Sequence, residues 1–367
     1  MSHVVIVGCG VVGATVAYEL SRNNDYQITV VDKQSPGQAS TGAALGVLMG
    51  IISHKLKGRA WRLRETSVKS YQGLIPELEI IIGRKIPYNR KGILSLCLEG
   101  EDMGKWQKLQ EIRHSQGWKL EIWDNQKLTE NCPQVNQKGI IGGIYSPQDR
   151  QIDPVALTQA LVEAGQHKGI NYRFNVNVTG VNHHQNTQLK LETTDGEISA
   201  DWVVVAAGLG SSEITAQLNQ MVDIRPVLGQ ALHLDLGHCL GKAEFQPALT
   251  GNDVHIVPVD NCTNPITQYW VGATVEFPQD RREISADQQL LDDVLQQAIA
   301  FCPELSQAQI IRTWSGLRPR PEGRPAPIIE RLNGYDNVLL ATGHYRNGVL
   351  LAPATAEAIR EMINSSD

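Results

Sequence analysis

Long apolar runs are scarce in this chain. The longest, Trp202–Ala207 and Gly46–Ile52, fall far short of the roughly 20 residues that a membrane-spanning helix needs, so no such helix is expected. Basic runs are missing too. Thirty-three Lys and Arg stand against 39 Asp and Glu, for a net charge of −6, and nothing here would track a nucleic-acid backbone. The six cysteines (Cys9, Cys97, Cys132, Cys239, Cys262 and Cys302) are scattered. With no CxxC pair and no Cys/His cluster, neither a disulfide frame nor a zinc site is expected, and reduced thiols are. His183-His184 has no third ligand at useful spacing and reads as a hairpin turn, so no metal site is expected. No charged and then apolar leader precedes the first strand-like residue, Val4, which makes the cytoplasm the expected location. Paired carboxylates, a serine triad and a P-loop lysine are all wanting, against a hydrolase or a kinase.

What is present is an ordinary core-forming composition, 41% hydrophobic and 20% charged over 367 residues, enough for about two domains. Val4–Val7 is a short apolar run closed by Gly8-Cys9-Gly10-Val11-Val12-Gly13. A helical pattern follows to Leu20, then a second apolar run, Ile28–Val31, ending at Asp32. This is a β-turn-α-β unit with a buried parallel strand at its start. Trp202–Ala206 entering Ala207-Gly208, and Val338–Ala341 entering Thr342-Gly343, read as strands of the same layer. Ile86–Leu98, Gly139–Ile152 and Gln230–Val275 alternate like antiparallel strands. Helices are predicted over Glu101–Gln116, with Trp106, Leu109 and Ile112/Arg113 in register, and near Ala286–Phe301. The fold class is therefore α/β plus α+β. A Rossmann-type domain is assembled from 1–85, 140–215 and 315–367, and a second, antiparallel-sheet domain from 86–139 and 216–314.

GCGVVG between a strand and a helix is a dinucleotide fingerprint. Gly8 allows the tight turn, Gly10 lets a pyrophosphate approach the backbone, and Gly13 lets the helix pack on the strand with its N-terminus facing the phosphates. Asp32, at the end of the next strand, can accept ribose hydroxyls. The motif alone serves NAD and FAD alike, and three features favour FAD. The first is the small-residue loop Pro36–Gly46, with Ser40 and Thr41 as hydroxyl donors. The second is Ala341–Leu350, a strand and glycine turn leading into a helix with Pro353 in its first turn. Free N–H groups there suit the pyrimidine edge of a flavin, where negative charge accumulates on reduction. The third is Ser199–Ser211, where Ala207 and Gly208 can pass close to a ring.

These segments resemble the D-amino-acid oxidase family of flavoproteins, most closely its glycine oxidase branch. The fingerprint, STGAALG, DWVVVAAG, WSGLRP and GHYRNGVLLAPAT occur in the expected order and cover essentially the whole chain. The resemblance implies FAD contacts at Val11, Val12, Asp32, Lys33, Ser40, Thr41, Leu45, Gly46, Val47 and Val178. It implies more at His344, Tyr345, Arg346, Asn347, Gly348, Val349 and Leu350. Arg318 of WSGLRP matches the arginine that clamps a substrate carboxylate, and Arg346 lies near both substrate and flavin. Two positions depart from the family: His255 stands where a tyrosine is usual, and Val275 where a methionine often follows GAT. Relatives with a covalent flavin use a C-terminal cysteine. None follows Cys302, so the FAD is expected to be noncovalent.

An amino-acid oxidase works largely by positioning, and a guanidinium grips a carboxylate through two parallel N–H groups. Arg318 is read as that clamp, against a structural ion pair; Arg346 is open between the same two readings. His255 is read as a polar pocket wall on the side of Asp253 and Val257, against a satisfied strand-end histidine. The expected reaction is oxidation of glycine or another small amine-bearing acid to an imine, then to an α-keto acid and ammonia, with dioxygen reduced to hydrogen peroxide. The resemblance also implies a link to the thiazole branch of thiamine synthesis and allows a homo-oligomer. A flavin dehydrogenase passing electrons to a quinone or carrier, and a catalytically silent flavin subunit, remain open alternatives.

Overall fold

Val4, Val5, Ile6 and Val7 offer no polar side chain to solvent, so their strand must be covered on both faces. In the computed structural model, which describes residues 1–183, 188–259, 265–278 and 285–365, Ser2–Val7 lies inside a six-stranded sheet. Tyr26–Asp32 and Trp202–Val205 flank it in parallel. Val338–Thr342 adds in parallel beyond Trp202–Val205, and Ile328–Arg331 closes that edge antiparallel. Asn171–Phe174 closes the other edge. Helices Val11–Leu20, Gly58–Ile82, Pro154–His167 and Gly348–Asn364 cover one face, burying Ile6, Val30, Tyr71, Leu157 and Ile359 together. A three-stranded meander, Val178–His183, Leu189–Thr193 and Gly196–Ala200, covers Val5, Val7, Val31 and Val203 on the other.

The alternating segments build an eight-stranded sheet. Its order is Gln309–Pro321, Ile224–Asp235, Gln268–Gly272, Val254–Pro258, Ala248–Gly251, Ile93–Leu98, Ile140–Ser146 and Glu121–Trp123. One face carries Leu232, Leu234, Ile256 and Val271, packed on Leu291, Val294 and Phe301 of the helix Gln288–Phe301. Residues directly opposite across a ladder share a face. The pairs Ala231 with Trp314 and with Gly272, Gly272 with His255, Gly229 with Gly316, and Val227 with Arg318 therefore line the other face. That face looks toward Leu45 and Val47 of the small-residue loop.

Three expectations are corrected here. Ile140–Ser146 belongs to the eight-stranded sheet, paired with Ile93–Leu98 and Glu121–Trp123, rather than to the dinucleotide-binding half. Its exposed Ile141 and buried Ile140 and Ile144 suit an antiparallel ladder, not a strand covered on both sides. Gln309–Pro321 is one strand paired with Ile224–Asp235 along its length, so a boundary at 315 would cut a continuous ladder. The last helix starts at Gly348, which puts Pro353 inside it rather than in its first turn. Proline has no N–H to give the carbonyl of Val349, and the Tyr71 hydroxyl donates to that carbonyl instead, at 2.5 Å. Of the histidine pair, His183 ends a strand and His184 lies outside the described residues, as does Cys262.

Candidate active site

The fingerprint glycines are held where no side chain fits. A Cβ on Gly8, whose φ is +108°, would lie 2.5 Å from the Ala206 carbonyl oxygen, and one on Gly13 would lie 1.9 Å from that of Gly8. The helix Val11–Leu20 therefore seats directly on the ends of two parallel strands. Gly10 gives that helix no side-chain cap, and its first turn carries no acid. Thr41 Oγ1 accepts from the Val11 N–H at 3.0 Å, which leaves the threonine hydrogen and the N–H groups of Val12 and Gly13 outside the helix ladder. Asp32 accepts from the Cys9 N–H at 2.6 Å and from the Gln34 N–H at 2.8 Å through different oxygens. Each oxygen keeps a lone pair for a ribose hydroxyl. Lys33 is exposed beside it, and Val178 is buried against Val31 and Val176.

The loop after the second strand threads between the sheets. Ser40 Oγ donates to the Leu317 carbonyl at 2.6 Å, and Trp314 Nε1 donates to that of Ala43 at 3.1 Å. A Cβ on Gly316 would fall 2.2 Å from Ala43 Cβ, so this glycine of WSGLRP lets the loop cross. Gly46, at φ +72°, abuts the Ile152 carbonyl, where a Cβ would sit at 1.7 Å. The Ser40 hydroxyl hydrogen goes to the Leu317 carbonyl here, which leaves its oxygen lone pairs for another donor.

Sequence reasoning missed what holds the next stretch. The N–H groups of Gly50, Ile51 and Ile52 converge on buried Asp149 at 2.7, 2.8 and 2.8 Å. The carbonyls of Ile51, Ser53 and Lys55 accept from Arg113 at 2.7, 2.7 and 2.9 Å, and the Arg113 guanidinium lies 3.6 Å over the Trp61 ring. Burial pushes the Asp149 carboxyl up and brings Arg113 down to about 10. The one available signal was an arginine in register with Trp106 and Leu109 on the apolar face of its helix.

On the facing sheet, Arg318 lies flat across Gly229. A Cβ there would stand 2.2 Å from both terminal nitrogens, and Nη1 donates to the Leu228 carbonyl at 3.0 Å. No carboxylate among the described residues reaches Arg318 within ion-pair distance. Arg346 does have one: Asp253, at 3.3 Å, with side chains 38% and 76% exposed. Asp253 sits in the turn before the His255 strand, at φ +63°. His255 Nδ1 and Trp270 Nε1 are buried without a hydrogen-bond partner. Burial, then Arg346 and Arg318, pull His255 down to about 4 against the opposing effect of Asp253. His255 is therefore neutral at pH 7.

At the C-terminal end, Thr342 Oγ1 donates to the Gly208 carbonyl at 3.2 Å, tying the Ala207-Gly208 turn (Gly208 φ +57°) to the last parallel strand. His344 is only 3% exposed. Its Nε2 lies 2.8 Å from Thr355 Oγ1, whose own hydrogen goes to the Leu351 carbonyl, so Nε2 carries the proton. Burial and Arg59 bring His344 down to about 3. Its side chain fastens the helix through Thr355. Tyr345 takes a left-handed turn at φ +53°, and Asn347 precedes the helix Gly348–Asn364 without capping it. The first-turn N–H groups of Gly348, Val349 and Leu350 are left outside the helix ladder.

Two uncapped helix starts, a glycine turn pressed on Ala206, and orphaned polar atoms on the opposite wall fit an extended anionic dinucleotide with a planar ring at its far end. The comparisons agree. Residues 3–362 match the model of the FAD dependent oxidoreductase family. The chain is 28% identical to the Bifunctional protein ThiO/ThiG of Trichormus variabilis over 98% of its own length and 52% of that protein, so it spans about half of such relatives. It is 27% identical to a glycine oxidase of Bacillus licheniformis, covering 98% of this chain and 92% of that one. The structure superposes on glycine oxidase from Geobacillus kaustophilus with a TM-score of 0.86 at 24% identity, covering 100% of this chain and 95% of that one. With nearly its whole length inside the family pattern, the chain belongs to the FAD dependent oxidoreductase family.

Proposed function

We propose that this flavoprotein is an oxidase of glycine or a similarly small amine-bearing acid. The observation that carries this reading is Arg318, a guanidinium without a carboxylate partner among the described residues, lying flat on Gly229. It shares a sheet face with neutral His255. Between them the glycines of that face are closely covered, Gly272 by Leu45 and Gly316 by Ala43, and Trp314 stands on the same face, which suits a small substrate held by its carboxylate.

Arg318 takes the substrate carboxylate through parallel N–H groups, which fixes Cα over the opening between loop and sheet. His255, uncharged, does not compete for the carboxylate and presents Nδ1 as a lone-pair acceptor to a substrate N–H. Arg346 sits at the solvent rim, paired to Asp253. Bound FAD, held noncovalently, supplies the acceptor for the Cα hydride and the route by which dioxygen becomes hydrogen peroxide. The amino acid loses two electrons and two protons in all to give the imine, and water converts the imine to the α-keto acid and ammonia. The glycine oxidase and ThiO/ThiG relatives support glycine as substrate, glyoxylate as product, and a place in thiamine thiazole synthesis. Five described cysteines are free, as suits a cytoplasmic protein.

The test is turnover of the FAD-loaded chain under air with glycine, sarcosine and a panel of D-amino acids. Glycine or another primary amino acid should yield hydrogen peroxide and ammonia in equal amounts, and sarcosine should yield methylamine in place of ammonia. Turnover only with an added quinone or dye, and no peroxide, would make the protein a dehydrogenase. No turnover with any electron acceptor would make it a silent flavin subunit.

A further inference from the structure

One buried cation has no role in the site described so far. Arg64, in the helix Gly58–Ile82, is 8% exposed. Nη1 donates to the Ala60 carbonyl at 2.9 Å and Nη2 to Asn347 Oδ1 at 3.4 Å, while Nε is buried with no partner. No carboxylate among the described residues lies within ion-pair distance of it. Burial holds it below the usual arginine range. Nearby Arg113 is a like charge, whose own ionisation Arg64 disfavours.

The position makes this arrangement unfavourable in the protein alone. Asn347 is the residue before the helix Gly348–Asn364, so the guanidinium sits beside the positive end of a long helix dipole, where a cation is destabilised. An unpaired buried charge is costly as well. What relieves both is an electron-rich group docking at the same helix start. Asn347 is already oriented for it: a guanidinium offers only donors, so the Asn347 oxygen faces Arg64 and its NH2 is directed away.

We propose that Arg64 is a positioning residue for the flavin: its charge, passed on through Asn347, stabilises the negative charge gained by the pyrimidine edge on reduction and raises the reduction potential of the bound cofactor. This rests on the ring's pyrimidine edge lying at the start of the last helix.

The experiment compares FAD bound to the natural protein, to Arg64→Gln and to Arg64→Lys, reading the midpoint potential and the affinity for sulfite, which adds to oxidised flavin and leaves negative charge on the same edge. Arg64→Gln should shift the oxidised-to-reduced equilibrium about tenfold toward the oxidised form, a fall of about 30 mV for a two-electron couple, and weaken sulfite binding similarly. Arg64→Lys should keep most of the potential. An unchanged potential in Arg64→Gln with FAD bound overturns the proposal, as does an equal fall in both variants, which would mark a packing role. If Arg64→Gln holds no FAD, the natural protein decides. A reduced cofactor kept anionic takes up one proton per two electrons, so its potential should fall about 30 mV per pH unit between pH 6 and 8. A slope of about 60 mV per unit overturns the proposal. Failure of the natural protein to hold FAD would instead overturn the site itself.

Discussion

At Gly229 a single methyl group decides whether Arg318 can lie flat on its strand. The Cβ of Gly229→Ala would stand 2.2 Å from both terminal nitrogens, so the guanidinium must lift and lose its bond to the Leu228 carbonyl. Misplacing a positioning group by about 1 Å can cost about a hundredfold. Gly229→Ala should therefore raise KM for the amino acid by between about tenfold and a hundredfold, with FAD content and melting temperature near those of the natural protein. Steady-state kinetics beside a flavin absorbance spectrum would check this. Gly8, Gly13 and Asp32 were legible in the sequence because their spacing is itself the signal. Arg318, Arg346 and His255 were legible through WSGLRP, HYRNG and the strand before Pro258. The bond of Ser40 to the Leu317 carbonyl was not legible, since nothing in a sequence shows which carbonyl a hydroxyl will find. Arg64, Arg113 and Asp149 left almost no trace, because their partners are mainly backbone groups, which every residue carries.

Among the elements, the start of the last helix depends on a neighbour. Pro353 leaves the Val349 carbonyl without its intrahelical donor, and Tyr71 makes up the loss. Tyr71→Phe keeps the ring's packing and strands a buried acceptor, a change of about 1–3 kcal/mol. Urea unfolding should show a lower midpoint with an unchanged slope, and FAD should bind more weakly because the loosened turn carries the N–H groups that we assign to the flavin. An unchanged midpoint would mean that the carbonyl finds another donor. The position of Pro353 was misjudged because proline is commonest in a first turn, and a distant tyrosine hydroxyl is invisible to a local pattern. Ile140–Ser146 was misplaced for a related reason: its alternation showed an antiparallel strand, but only the ladder with Ile93–Leu98 shows which sheet takes it.

Over the whole molecule, three glycine-ended strands and one long antiparallel strand converge at their ends. Gly8 abuts Ala206, Gly208 is tied to Thr342, and a Cβ on Gly343 would stand 2.6 Å from Pro321, at the end of the strand that carries Arg318. We read the six-stranded sheet and its helices as the cofactor half and the eight-stranded sheet as the substrate half, with the 36–50 loop between them. The order of these pieces was legible from the sequence, since each carries its own motif. How the halves face each other was not, because that depends on contacts such as Ala43 over Gly316. Anaerobic addition of glycine to the FAD-loaded protein tests the central claim most directly, followed by the flavin's yellow absorbance. Glycine should bleach it, and Arg318→Ala, with FAD still bound, should need on the order of a hundredfold more glycine, as loss of a charged bidentate contact implies. Bleaching at the same glycine concentration in both proteins, or none in the natural protein with any small amino acid, would contradict the account.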